Sequence, residues 1–324
     1  MHTVMTSLPK IDYAAHPAYG GMLEPDPALG EQALQILTPV IAEMTRVEAE
    51  RVEKFGYRYG HASNAERELV QNSFICGRLP TTDMDRIGRA AAPYVEALQA
   101  KLREPVARGD TIPFKMVNRV LDETADAEIW TIVDEALREA GLHETVRVFH
   151  GAIWSKLNSL AVFVNPPNQS WIGPSFRDQS AATPPTAGMH IDSNGKCYLK
   201  MILYLSDVGP DQGPTAVVPG SHAWDSGGVE RIRRRAYDRS KLLGRSALER
   251  HQFISLPQEL QVKAEFGGDL LPGSLEAEAL LATEFVSTGE RGHYTVFNPE
   301  AVHRGGAVRA GERHALQITL GARW

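Results

Sequence analysis

The residues best suited to chemistry lie in two segments far apart in the chain. The first, AGMHIDSNGKCYLKMILYLSDVGPDQGPTAVVPGSH over 187–222, holds His190 and Asp192 as a His-x-Asp pair. The second, NPEAVHRGGAVRAGERHALQI over 298–318, holds His303 and, ten residues on, Arg313. On a strand, residues two apart point to the same face, so His190 and Asp192 can grip one ion while Ile191 turns into the opposite layer. Two histidines and one carboxylate form the facial set that leaves coordination positions open on non-haem Fe(II). A His-x-Asp pair by itself arises by chance in a chain with 11 histidines. Its surroundings carry the reading.

Those surroundings are LKMILYLSDVGPDQGPTAVVPGSH, VFNPEAVHRGG and GERHALQI, in that order. Together they resemble the phytanoyl-CoA hydroxylase-like, ectoine hydroxylase-related group of Fe(II)/2-oxoglutarate-dependent dioxygenases. That group shares a His-x-Asp, a Gly-Pro-rich turn ending in Pro-Gly-Ser-His, a distal His, and an Arg about ten residues further. The resemblance implies a mainly β fold with a helical extension, a double-stranded β-helix or jelly roll with N-terminal helices packed on one side. It also implies His190, Asp192 and His303 as catalytic iron ligands, with 2-oxoglutarate and O2 as co-substrates. The reaction expected is oxidative decarboxylation of 2-oxoglutarate to succinate, coupled to oxidation of a substrate C–H bond. Related halogenases carry a small residue at the position of Asp192, so hydroxylation is the expected outcome, with desaturation, cyclisation or epimerisation open to the same chemistry.

The distal carboxylate of 2-oxoglutarate calls for a guanidinium fork at depth, and Arg313 has the family spacing for it. Arg304 and Arg309 are its rivals; Arg304 directly follows a ligand, and Arg309 stands in a turn with Ala310 and Gly311. Ser155–Asn158 (SKLN) resembles the SRLN of ectoine hydroxylases, which implies that Asn158 hydrogen-bonds the co-substrate. Gly305 departs from the serine those enzymes carry two residues after the distal histidine. His222, in the Pro-Gly-Ser-His turn, is expected to be structural; His293 reads as a bonded strand histidine, and His314 faces away from Arg313. Asn194, Lys196 and Tyr198 share the face of the metal pair and could line a pocket mouth. The primary substrate expected is a small polar metabolite, an amino acid or natural-product intermediate. An acyl-CoA or lipid-like substrate is the alternative within enzymes, and a non-catalytic jelly-roll binding protein the alternative outside them.

Composition sets the bounds. A chain of 324 residues with 34 basic and 40 acidic residues has a net charge of −6, which disfavours nucleic-acid binding. No run approaches the ~20 apolar residues a membrane helix needs. The first residues show no basic stretch followed by an apolar one, so no secretory signal is expected, and two cysteines build no disulfide framework. A reduced, cytoplasmic setting follows, and a homo-oligomer is compatible with the sequence.

Around these residues the chain must build a scaffold. Residues 1–143 are expected to form an arm (1–25) and helices, and 144–324 the catalytic core with an insertion at 223–292, all in one structural domain. Leu34, Leu37, Ile41 and Met44 recur at helical spacing, and Pro39 is expected to start that helix with Thr38 as N-cap. Further helices are expected over 63–75, 82–102 and 124–140, the last closed by Gly141. From 144 the β-branched and aromatic content of VRVFHGAIW and SKLNSLAVFV predicts strands, as do 198–205, 215–218, 293–297 and 314–321. The insertion is expected to be a partly helical lid over the metal mouth, because structureless loops beyond ~15 residues are uncommon.

Overall fold

The computed structural model describes residues 24–55, 64–110, 112–150, 152–167, 169–170, 198–223, 228–240, 242, 247–260, 279 and 282–323. Its helices are α1 (Pro27–Phe55), α2 (Asn64–Asn72), α3 (Thr81–Ala107), α4 (Ala127–Glu139), α5 (Leu142–Phe149), α6 (Gly228–Ser240) and α7 (Ala247–Ile254). Its strands are β1 (Phe74–Arg78), β2 (Ile112–Pro113), β3 (Asn118–Val120), β4 (Trp154–Asn165), β5 (Gln169–Ser170) and β6 (Tyr198–Tyr204). They continue with β7 (Thr215–Val217), β8 (Phe285–Ser287), β9 (His293–Phe297), β10 (His303–Gly305) and β11 (Arg313–Arg323).

Two antiparallel sheets face each other. The larger runs β1-β9-β6-β11-β4-β3 and the smaller β10-β7-β8, while β2 and β5 form a short parallel pair. From β6 onward the chain passes between them: β6 large, β7 and β8 small, β9 large, β10 small, β11 large. This is the winding of a double-stranded β-helix. Phe74, Val217, Phe297 and Ala301, with Ile202 and Phe285, fill the space between the sheets. Tyr204 ties them together: its hydroxyl donates to the Ser287 carbonyl at 2.7 Å and accepts the Thr215 N–H at 3.0 Å.

Alternation along the strands sorts the side chains. Leu199, Met201 and Leu203 of β6, with Leu316, Ile318 and Leu320 of β11, turn outward into the main core. That core is completed by Met84, Ile87, Ala91, Leu98 and Leu102 of α3, spaced for one helical face, and by α4 and α5. The intervening residues Tyr204, Ile202, Gln317 and Thr319 therefore line the face toward the smaller sheet.

Three local expectations are corrected. The VRVFH segment expected as a strand is helical: Leu142, Val146 and Phe149 lie at i, i+4 and i+7, and all three are buried on one face. Burial of that face against β4 overrides the β-branched preference. The helix expected through Ile75 stops at Asn72, where Ser73 adopts φ 68°, and Phe74 and Ile75 enter β1, paired with Phe297 and Val296. Helix α1 runs unbroken through Pro39. That proline is exposed, so water reaches the carbonyl it leaves unbonded. The 223–292 insertion is partly helical as expected, and its described helices pack on α1: Ala236, Tyr237, Leu242, Phe253, Ile254 and Leu256 join Ala33 and Leu37 in a separate apolar cluster. Their buried apolar residues are engaged with a helix. The N-terminal arm lies outside the described residues, apart from its last two.

Candidate active site

His303 opens β10, and three local devices place it. The Asn298 side chain accepts the Glu300 N–H at 3.0 Å, which forms a tight turn with Pro299 and carries the chain from β9 across to the smaller sheet. The Ser221 hydroxyl accepts the Val302 N–H at 2.8 Å and donates to the Val218 carbonyl at 2.7 Å. The Pro-Gly-Ser-His turn thus pins the strand that bears the histidine, and pairing of His303 with Val217 completes the register. The ring is buried, 4.7 Å from the Phe297 ring, and its Nδ1 lies 2.8 Å from the Ala301 carbonyl. A carbonyl can only accept, so Nδ1 donates and the lone pair falls on Nε2. That is the tautomer a metal-binding histidine needs.

Arg313 opens β11 at one end of the same interior face. It is buried, its Nε donates to Asn165 Oδ1 at 3.1 Å, and its Nη1 donates to the Gly213 carbonyl. Gly213 has φ 68°, and a Cβ there would lie 2.4 Å from the Gly306 carbonyl oxygen, so only glycine lets this turn close on the loop before β11. Among the described residues no carboxylate reaches Arg313. Burial holds its pKa below the ordinary value, with Tyr204 opposing. Arginine still remains charged, so the fold buries a cation whose described partners are all neutral.

The rivals are otherwise engaged. Arg304 makes two bonds to Glu284, at 2.9 and 2.5 Å. Arg309 is exposed. His293 lies 2.9 Å from the Ser287 hydroxyl, and His314 pairs with Glu312 at 2.9 Å on the opposite face. His222 sits half-buried in the single helical turn Ser221–Ala223.

Strand register places Asn158 and Asn165 differently with respect to Arg313. Asn165 is the residue level with Arg313, whereas β4 and β11 slip by one residue between Thr319 and Leu320, and Asn158 is the unpaired residue there. Its amide packs so closely on Gly321 that a Cβ on that glycine would lie 1.8 Å from Nδ2. Gly321 is eight residues along the strand from Arg313, roughly 25 Å at strand rise. Asn165, which motif matching passed over, is fully buried and bonded to Arg313. His190 and Asp192, with Asn194 and Lys196, lie outside the described residues.

Residues 89–315 match the family described as phytanoyl-CoA dioxygenase (PhyH). The chain belongs to that family. It is accordingly an Fe(II)- and 2-oxoglutarate-dependent oxygenase, using O2 as the second co-substrate. No curated protein sequence matches it. Among solved structures it is similar to EctD from S. alaskensis with 2-oxoglutarate and 5-hydroxyectoine, at 14% identity and TM-score 0.45, covering 83% of this chain and 80% of that one. It is also similar to AviO1 from Streptomyces viridochromogenes Tue57, at 14% identity and TM-score 0.40, covering 79% of this chain and 93% of that one. A third is the non-haem alpha-ketoglutarate-dependent carbocyclase SnoK from nogalamycin biosynthesis, at 13% identity and TM-score 0.41, covering 81% and 85%. Among the described residues no helix is long and apolar enough to cross a membrane.

Proposed function

We propose that His190, Asp192 and His303 hold Fe(II), that Arg313 anchors the distal carboxylate of 2-oxoglutarate, and that the chain hydroxylates a small polar metabolite such as an amino acid or natural-product intermediate. Arg313 carries the reading. A buried cation is costly unless an anion completes it, and a planar guanidinium held at Nε and Nη1 keeps N–H groups for a carboxylate.

The donor chemistry fits the group. His303 supports an Nε2 lone pair, and the His190-x-Asp192 pair would supply the other two ligands. When bound, iron and 2-oxoglutarate supply the oxidising equivalents, with succinate and CO2 as the co-products. The chain's own contribution is placement. Asn165 and Gly213 set the plane of the guanidinium, so the diacid enters with its far end fixed. Tyr204 closes the gap between the sheets near that end. As a ligand, the Asp192 carboxylate would stand where related halogenases carry a small residue, which favours hydroxylation. Gln317 and Thr319 continue the interior face with polar side chains, which suits a small polar molecule better than a lipid tail.

The test is succinate release from Fe(II), 2-oxoglutarate and O2, with and without a panel of amino acids and related metabolites. Stimulated release is expected, and no release under any condition would overturn the reading.

A further inference from the structure

We propose that Ser73 is a positioning residue for His303: the strained junction between α2 and β1 braces the two loops that place this histidine. The inference rests on His303 being an iron ligand, as proposed above. Every contact in the brace lies among the described residues.

Ser73 is the one non-glycine residue with a positive φ, 68°, among the described residues, and it is fully buried. Its N–H still donates to the Leu69 carbonyl at 3.0 Å, so it closes α2 in the left-handed conformation that glycine usually supplies at a helix C-terminus. A side chain in that conformation costs energy, and such strain persists only where the surroundings hold it. Two consecutive carbonyls do the holding. The Asn72 carbonyl accepts the Gly220 N–H at 3.1 Å, and the Ser73 carbonyl accepts the Asn298 N–H at 2.8 Å. The Ser73 hydroxyl also donates to the Asn72 carbonyl.

These two partners belong to the two loops on which His303 depends. Gly220 precedes Ser221, whose hydroxyl accepts the Val302 N–H. A Cβ on Gly220 would stand 3.3 Å from the Gln71 carbonyl oxygen, so this turn rests directly on the end of α2. Asn298 opens the other loop. Its carbonyl accepts the Ala301 N–H at 2.9 Å, and the Ala301 carbonyl in turn accepts Nδ1–H of His303. One residue beyond the junction, Phe74 pairs with Phe297, the ring that lies 4.7 Å from the His303 ring. Residues 72–74 thus reach both loops and the ring beside the imidazole. A right-handed or extended Ser73 would turn its carbonyl away and release Asn298 or Gly220. Outer contacts that fix the orientation of a ligating histidine raise its affinity for metal, because less freedom is lost on binding.

The experiment titrates the metal-free protein with Fe(II) under anaerobic conditions and records the melting of each variant. A β-branched residue is far less tolerant of positive φ than serine, so Ser73→Val must release the junction. Its dissociation constant for Fe(II) should rise about tenfold or more, the scale of losing an outer contact to a metal-binding histidine. Ser73→Gly takes the same φ without strain and should restore the affinity to within about threefold of the parent. Ile87→Ala opens a cavity in the main core, and should lower the melting temperature while Fe(II) affinity moves less than about threefold. That control separates positioning from a general loss of stability. In the parent protein, Fe(II) should slow hydrogen exchange at the Gly220 and Asn298 amides, a readout that stands even where Ser73→Val does not fold. Parental affinity in Ser73→Val, an equal loss in Ile87→Ala, or unchanged exchange at both amides would each overturn the brace. His303→Ala distinguishes the two readings. Parental Fe(II) affinity in that variant would overturn His303 as a ligand, whereas loss of metal there with full retention in Ser73→Val would overturn the brace alone.

Discussion

Arg313→Lys tests the co-substrate anchor most directly. In the structure two of the guanidinium's nitrogens are committed to protein, Nε to Asn165 and Nη1 to the Gly213 carbonyl, and the remaining N–H groups are available for a carboxylate. Lysine keeps the charge but has one nitrogen on a flexible stem, so it cannot hold Asn165 and Gly213 while presenting a fork. Loss of one charge-assisted hydrogen bond is worth about 1.5–3 kcal/mol. That corresponds to roughly a ten- to hundredfold weaker dissociation constant for 2-oxoglutarate. The assay is anaerobic titration of the Fe(II) protein with 2-oxoglutarate, followed by its absorbance change, on variants whose folding is checked by thermal melting. Asn165→Ala frees the guanidinium plane without removing a bond to the co-substrate itself, and should weaken binding by a smaller factor, about three- to tenfold. Arg309→Ala and Asn158→Ala, both exposed, should stay within about twofold of the parent. Unchanged affinity in Arg313→Lys, or a loss in Asn158→Ala equal to that in Asn165→Ala, would refute the reasoning.

Replacing His190, Asp192 or His303 by Ala should abolish Fe(II)-dependent turnover and leave a protein that still melts cooperatively; normal hydroxylation by Asp192→Ala would remove it from the ligand set. Tyr204→Phe deletes one hydroxyl that serves two buried backbone groups, so unfolding in urea should show a loss of about 2–4 kcal/mol. Glu284→Ala strands Arg304, whose side chain is only 14% exposed, and should cost about 2–4 kcal/mol without changing the affinity for 2-oxoglutarate. Burial lowers the pKa of both His143 and His293 in the folded protein. The unfolded chain therefore binds more protons over the window between the folded values and about pH 6.5, and stability should fall as pH drops through it. Substituting both histidines by Gln should flatten that slope, and an unchanged slope would assign it to other groups.

How much of this was legible in the sequence depends on the range of the interaction involved. Alternation in 198–204 and 313–323 marked β6 and β11, because one neighbouring residue in two must face a core whatever lies beyond it. Gly141 with φ 73° and Gly213 with φ 68° were readable as turns, since the requirement for positive φ is local. The His-x-Asp, the distal His303 and the spacing to Arg313 carried the family and its chemistry before any coordinate. Other features were settled only by partners far away in the chain. The helical state of 142–149 came from an apolar face buried against β4, and α1 and the insertion helices were matched to each other across some two hundred residues. The edge strands β1 and β3 exist because β9 and β4 offered open edges to them. Register set which asparagine stands beside Arg313. Nothing in the letters of SKLN or FVN reveals that β11 meets β4 with Arg313 beside Asn165 and a bulge at Asn158, since a one-residue slip in either strand would have changed every cross-strand pair.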